Sequence, residues 1–273
     1  MTFWNPEAIL DEHIPTFRPL DVGSGSWVIF SDTHFNSKGG HNDFDKNRAL
    51  FYFIILPYYI SRKFKGIGLG DLVDLIESKW DKIYPHSKDV IDEFLKLILY
   101  WCPGNHDLKA DTLPNIPPTV TFCNGLRLFF GKDEFGFACH GHIIDIFNCG
   151  SKVTGIVNWI VRNLWVWWQK MTNKLPKLPS ENIEIASTLD AQISNYCRKR
   201  GKKGFFGHTH EYHYDIFSGG GAYLNSGCWV KTGGGQTIEI INRNINLVNW
   251  VVLPSGKVIR EVNNGSYIVQ EQI

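Results

Sequence analysis

The sequence predicts an α/β protein in which two β-sheets pack together with helices outside. Three observations carry this. Short apolar runs ending at Gly or polar residues recur along the chain, as buried strands do. Segments of helical periodicity alternate with them over the first two thirds. The C-terminal third then turns to consecutive strand-like runs, and two packed sheets accommodate both halves.

The elements follow in order. Residues 1–26 read as an irregular N-terminal extension, with Pro6, Pro15, Pro19 and a GSGS turn at 23–26. WVIFS then forms a strand leading to Asp32. Residues 44–62 read as a helix capped near Asn42 or Asp43 and strained or ended at Pro57. In residues 88–100, Val90, Ile91, Phe94, Leu95, Leu97 and Ile98 recur at helical spacing. That helix runs into a strand before Asn105. Residues 180–200 present Ile183, Ala186, Leu189 and Ile193 on one helical face, with Lys and Arg in the last turn. AYLNSGCWV, QTIEIINR and INLVNWVVLPSG are strand-rich, with turn residues between them. No repeat or flexible linker divides the chain, so residues 27–273 are expected to form one domain with an insertion at about 150–180.

Hydrophobic residues make up 43% and charged residues 20% of the 273, an ordinary globular composition. The formal net charge is +1 and offers no global field for nucleic acid. Arg62, Lys63 and Lys65, and the run Arg198–Lys203, read as solvated surface clusters. None of the six cysteines forms a CxxC pair, which fits buried free thiols rather than a disulfide framework. The N-terminus does not read as a signal peptide, so the cytoplasm is the expected compartment. No apolar stretch reaches the roughly 18–20 residues that span a bilayer.

Five motifs rich in Asp, His or Asn each directly follow an apolar run. They are Asp32-Thr33-His34, Gly70-Asp71-Leu72-Val73-Asp74, Gly104-Asn105-His106-Asp107, His140-Gly141-His142 and Gly207-His208-Thr209-His210. In open α/β sheets, ligand sites lie outside the carboxyl ends of the strands. Ligands far apart in sequence would therefore meet in space. The candidate donors are Asp32, His34, Asp71, Asn105, His140, His208 and His210. They are carboxylate, amide and imidazole groups with no thiolate, a set that suits manganese first, with iron, zinc, nickel or magnesium also acceptable. Seven donors exceed one four-coordinate ion. They suit two ions about 3.5–4 Å apart sharing a carboxylate, with Asp71 the natural bridge. In each D-x-H or H-x-H pair, side chains two residues apart point the same way at a strand end.

This set, D-x-H, G-D-x-x-D, G-N-H-D, H and G-H-x-H, resembles the calcineurin-like metallophosphoesterase family from about Trp27 to about residue 250. The resemblance implies an αββα sandwich and a binuclear metal site. It implies that one ion takes Asp32, His34, Asp71 and His210, and the other Asp71, Asn105, His140 and His208. His106 resembles the family histidine that contacts the phosphoryl group or protonates the leaving oxygen. Asp107 is expected to orient His106 by accepting its N–H. Asp74 is either a helix N-terminal carboxylate or a support for the ligands. The implied reaction is in-line attack on phosphorus by a hydroxide held between the ions, with His106 as general acid.

HGHIIDIF at 140–147 and LNSGCWV at 224–230 are similar to the branch that includes UDP-2,3-diacylglucosamine pyrophosphatases. Asp145, Asn225, Gly227 and Trp229 match that branch's pattern. His142 replaces its Asp, and His106 stands where the lipid enzyme typically carries Arg. Between residues 156 and 170 lie Trp159, Trp165, Trp167 and Trp168, with Lys170 following. Such a segment suits either a helical insertion packed on the body or a peripheral membrane contact over a lipid substrate. The expected partner is a phosphate ester. A nuclease is disfavoured by near-neutral charge, and a non-catalytic scaffold by the intact ligand set.

Overall fold

The computed structural model describes residues 5–38, 43–145, 183–263 and 268–273. The insertion expected at 150–180, with its tryptophans, lies outside the described residues. Two mixed sheets form the centre. One has six strands, in the order β1 (Arg18–Asp21), β6 (Leu126–Phe130), β7 (Asp133–Ala138), β8 (Lys203–Phe206), β10 (Ala222–Ser226) and β9 (Tyr212–Ile216). The other has eight, in the order β14 (Ile268–Gln272), β13 (Val258–Asn263), β12 (Asn244–Val252), β11 (Gly234–Ile241), β2 (Ser26–Phe30), β3 (Lys65–Gly68), β4 (Ile98–Trp101) and β5 (Thr121–Phe122).

The period-two alternation of each strand builds three cores from two sheets. Trp27 and Ile29 of β2 face the other sheet, meeting Leu126, Leu128, Phe205 and Leu224. Val28 and Phe30 face the opposite way, under α2 (Arg48–Leu50), α3 (Leu56–Ser61) and α4 (Trp80–Leu97). On the six-stranded sheet, Phe137 and Phe206 face outward to α1 (Pro6–His13) and α5 (Ile183–Arg200), where Leu10, Leu189 and Ile193 cover them. The layers are helix, sheet, sheet, helix: the αββα sandwich.

Three elements differ from the sequence reading. The N-terminal stretch read as irregular holds α1, capped by Asn5, and β1, which runs parallel to β6. Its isolated prolines do not break these elements: Pro6 sits in the first turn of α1, where a missing N–H costs nothing. The 44–62 helix does not end at Pro57. It widens into a π-helical stretch at Phe51–Ile55, and Pro57 opens α3 beyond it. The wider turn avoids the N–H that proline cannot supply. The third difference is the start of α4, eight residues before the expected position 88. It carries Pro85 and a kink at Ser87, which disguised its first turns. All six apolar residues expected on this helix–strand segment are buried.

The Arg198–Lys203 run pairs with acids of neighbouring elements: Lys199 with Glu7 at 2.5 Å, Arg200 with Asp11, and Lys202 with Glu134 at 3.1 Å. No helix among the described residues is long and apolar enough to cross a membrane. All described cysteines are free.

Phe30 carries the core beneath the site. Its ring meets Phe51, Tyr59 and Phe94 edge-on, with centroids 5.2–5.8 Å away. Phe30→Ala is expected to lower unfolding free energy by about 3–5 kcal/mol, read by urea denaturation of the metal-free protein.

Candidate metal centre

Strand direction brings the five motifs to one edge. β2, β3 and β4 are mutually parallel, and β7, β8 and β10 are likewise parallel. Asp32 and His34 follow β2, Asp71 follows β3, Asn105 follows β4, His140 follows β7, and His208 and His210 follow β8. The seam between the sheets is closed there by Ser31 and Ser226, whose hydroxyls lie 2.7 Å apart.

The donors fall into two compact groups, Asp32–His34–His210 and Asp71–His140–His208, the ligand atoms of each lying within 4.8 Å of one another. His34 Nε2 lies 3.1 Å from His210 Nε2, and His210 Nε2 lies 3.3 Å from Asp32 Oδ1. His140 Nε2 lies 3.2 Å from Asp71 Oδ2. Asp71 Oδ2 also approaches His34 Nε2 at 4.0 Å, so this carboxylate stands between the groups.

The residues fit two metal ions. Asp32 Oδ1, Asn105 Oδ1, His140 Nε2 and His208 Nδ1 are buried and make no hydrogen bond among the described residues. Orphaned buried polar atoms are costly, and four in one place call for a shared partner. The opposite edges of the imidazoles are fixed. His140 Nδ1 is 2.6 Å from the Leu69 carbonyl, and His208 Nε2 is 2.9 Å from Asp145 Oδ2. Such contacts set the tautomer and turn the free nitrogen toward a metal.

The backbone is strained at these positions. Asp32, His34, Asp71, His208 and His210 have φ between 46° and 82°, the left-handed region. Each such residue costs about 1–3 kcal/mol and persists only where surroundings enforce it. The motif glycines contribute chiefly room: a Cβ on Gly104 would lie 2.2 Å from Asp71 Oδ1, and one on Gly207 would lie 2.5 Å from Asp32 Oδ2.

Hydrogen bonds across the loops supply the enforcement. Asp32 N–H donates to the Gly70 carbonyl (3.1 Å), His34 N–H to the Asp71 carbonyl (2.9 Å) and Trp229 N–H to the Asp32 carbonyl (3.1 Å). His106 N–H donates to Asp71 Oδ1 at 2.8 Å, and His208 N–H to Asp32 Oδ2 at 3.0 Å.

His106 stands beside the donors, its ring centroid 4.8 Å from that of His34. Its Nδ1 lies 3.0 Å from Asp74 Oδ1, so Asp74 and not Asp107 orients it. The same Asp74 oxygen accepts from Ile76 and Glu77 N–H and so closes a turn; the helix N-terminus read there is absent, because α4 begins only at Trp80. The Asp107 carboxylate is taken up elsewhere. It accepts N–H groups from Leu72 (2.8 Å), Gly104 (2.5 Å) and the Trp101 indole (3.0 Å), stitching the β3 loop to the β4 loop.

The electrostatics match a cation site. Burial would raise Asp71, but His140 and His106 beside it hold it well below the usual carboxylate range. Burial opposes charge on His106, yet Asp71 and Asp74 push it up to about 9. Burial and the charge of Asp71 push Asp107 up to about 6. His142 sits with its ring centroid 5.3 Å from that of His140, and its Nδ1 is buried and unpartnered. Burial and the neighbouring His140 and His208 push it down to about 3, so it is neutral.

Sequence reasoning missed one part of this region. Asp190 is a buried carboxylate on α5, bonded to Thr209 between the two histidines. A signal existed: it falls four residues after Ala186 and three before Ile193, on the apolar face.

The calcineurin-like phosphoesterase family model matches residues 27–212, and the chain belongs to that family. It is a metal-dependent phosphoric ester hydrolase, and calcineurin-like phosphoesterases use a dimetal centre. No curated protein sequence matches the chain. Solved structures similar to it include a dimetal phosphatase from Danio rerio, 10% identical over 91% of this chain and 98% of that one, TM-score 0.42. A cold-active protein-tyrosine phosphatase of a psychrophilic Shewanella species is 13% identical over 93% and 81%, TM-score 0.38. A 5'-nucleotidase from Candida albicans is 14% identical over 78% and 46%, TM-score 0.34.

Asp74→Asn and Asp107→Asn separate the two carboxylates. Asp74→Asn is expected to lower kcat by tenfold or more on alkyl phosphate esters, within the roughly 10²–10⁴-fold that general acids supply. The loss should be much smaller with p-nitrophenolate, which leaves without a proton. Asp107→Asn is expected instead to lower the melting temperature of the metal-free protein. Equal leaving-group dependence in both variants would contradict this division.

Proposed function

We propose that this chain hydrolyses a phosphodiester or pyrophosphate bond. Asp32, His34, Asp71 and His210 would hold one divalent ion, and Asp71, Asn105, His140 and His208 the other. The observation that carries the reading is the pair of donor groups, with orphaned buried ligand atoms in both and Asp71 between them. Manganese is the first ion to test, because carboxylate, amide and imidazole donors accept it readily.

When bound, two such ions supply the positive charge that polarises a phosphoryl oxygen and activates water. The remaining work belongs to side chains. Asp74 fixes Nδ1 of His106, which leaves Nε2 to hand a proton to the departing oxygen. Asp107 keeps Asn105 and His106 on a rigid turn by closing it through Gly104 N–H. No serine or cysteine nucleophile enters.

Support for a diester or pyrophosphate over a monoester comes from four residues shared with the pyrophosphatase branch. Asp145 engages His208, Asn225 donates to the Gly207 carbonyl (3.2 Å) and accepts Gly227 N–H (3.0 Å), and Trp229 N–H donates to the Asp32 carbonyl. All four thus touch or adjoin the donor loops. A lipid pyrophosphatase at a membrane surface is the second reading, favoured by the same four residues. His142 and His106, which depart from that enzyme's pattern, weigh against it.

Bis-p-nitrophenyl phosphate and p-nitrophenyl phosphate, assayed with Mn²⁺ and with chelator, test the main reading. Diester turnover that vanishes with chelator and in Asp71→Asn is expected. Monoester preference would redirect the reading to phosphatase substrates, and full activity in Asp71→Asn would overturn the binuclear site. For the lipid reading, deleting residues 156–175 should abolish liposome binding and leave metal content intact. A full-length chain that never binds liposomes removes that reading.

A further inference from the structure

We infer that Asp190 is a positioning residue for the metal centre: through Thr209 it holds His208 and His210, one histidine from each donor group, in the backbone conformation ligation needs. The inference rests on the dimetal reading above. Asp190 lies on α5, 4% exposed, on a face otherwise made of Ala186, Leu189, Ile193, Tyr196 and Cys197. A buried carboxylate on an apolar helix face is costly unless hydrogen bonds compensate it. Its partners converge from the site side. The Thr209 hydroxyl donates to Oδ1 at 3.0 Å, the Tyr223 hydroxyl donates to the same oxygen, and His213 Nε2 lies 3.1 Å from Oδ2.

Thr209 is held from both sides. Its hydroxyl proton goes to Asp190, and its oxygen accepts from Asn225 Nδ2 at 2.9 Å. Asn225 Nδ2 also reaches the Gly207 carbonyl, the residue that opens the loop. Thr209 lies between two left-handed residues, His208 at φ 82° and His210 at φ 60°. A chain segment strained on both sides of one residue relaxes unless that residue is anchored. Asp190 supplies that anchor from outside the sheets. Neither Asp190 nor Thr209 offers an atom to either donor group, so the uncharged Thr209 acts on metal through the geometry of its two neighbours.

Mn²⁺ titration of the chelator-stripped full chain tests this, beside the melting temperature of the same metal-free samples. Wild type is expected to bind two ions. Asp190→Asn and Thr209→Val should weaken both sites by roughly tenfold or more, the scale of changes to residues that orient ligands. Metal-free melting should fall modestly, because each change leaves a buried polar group short of a partner, and the loss of metal affinity should exceed what that destabilisation accounts for. Thr209→Ser, which keeps the hydroxyl, should bind nearly as wild type, and excess Mn²⁺ should recover part of the lost kcat of Thr209→Val. Should Asp190→Asn fail to fold, Thr209→Val decides, because it removes a single hydroxyl at nearly constant shape. Variants that bind both ions as tightly as wild type, or that lose only melting temperature, would overturn the inference while leaving the dimetal reading in place. A wild type that binds no Mn²⁺ would overturn both.

Discussion

Five candidate donor residues in left-handed backbone are the constraint on which the rest depends. L-residues leave that region readily, because the Cβ crowds the neighbouring carbonyl. Four of the five are held by backbone bonds between loops: Asp32 by Gly70 and Trp229, His34 and Asp71 by each other, and His208 by the Asp32 carboxylate. No loop is sufficient alone. The site is a woven knot, and its rigidity comes from contacts between segments far apart in sequence.

The sandwich makes the weaving possible. Parallel pairing of β2, β3 and β4, and of β7, β8 and β10, puts all the donor loops at one edge. The outer helices then press on the strands that carry them. Trp229 shows the coupling in one residue: its backbone N–H donates to the Asp32 carbonyl, while its ring packs edge-on against Phe51, centroids 4.7 Å apart. Asn47, at the start of α2, donates to the carbonyls of Trp229 (2.8 Å) and Lys231 (2.6 Å), so the helix layer and the site loop share a fixed position. The aromatic core beneath Phe30 is what those bonds lean on.

The two-sheet architecture and the donor set were legible because both are written in local patterns. Apolar runs gave the strands, and the residues after each run are the candidate donors that the strands bring to one edge. Long-range pairing was not legible. Asp107 adjoins His106 in sequence, but neighbouring side chains on a turn diverge, and Asp107 turns toward Trp101, Gly104 and Leu72 while Asp74 arrives from another strand end. β1 was hidden among prolines, because a four-residue strand that pairs along β6 needs little periodicity of its own. The helix through Pro57 was hidden by a π-helical turn that no local propensity announces. β13 and β14 pair only with β12 and each other, and Arg260 of β13 answers Glu239 of β11 across the sheet, an ion pair invisible without the fold.

His142 stands beside the two donor groups and belongs to neither. An Asp at this position, as in the pyrophosphatase branch, would add a carboxylate beside His140 and His208. It would share in neutralising the ions and strengthen charge on both imidazoles. His142 is held neutral by burial and by those same two rings, so it adds no charge. The second donor group then relies on Asp71 for its negative charge, and Asp145 engages its His208. Fewer anionic donors leave more uncompensated positive charge on a bound ion, which draws more on a substrate's phosphoryl oxygens. The same neutral ring places next to His140 a buried Nδ1 that has no hydrogen-bond partner among the described residues.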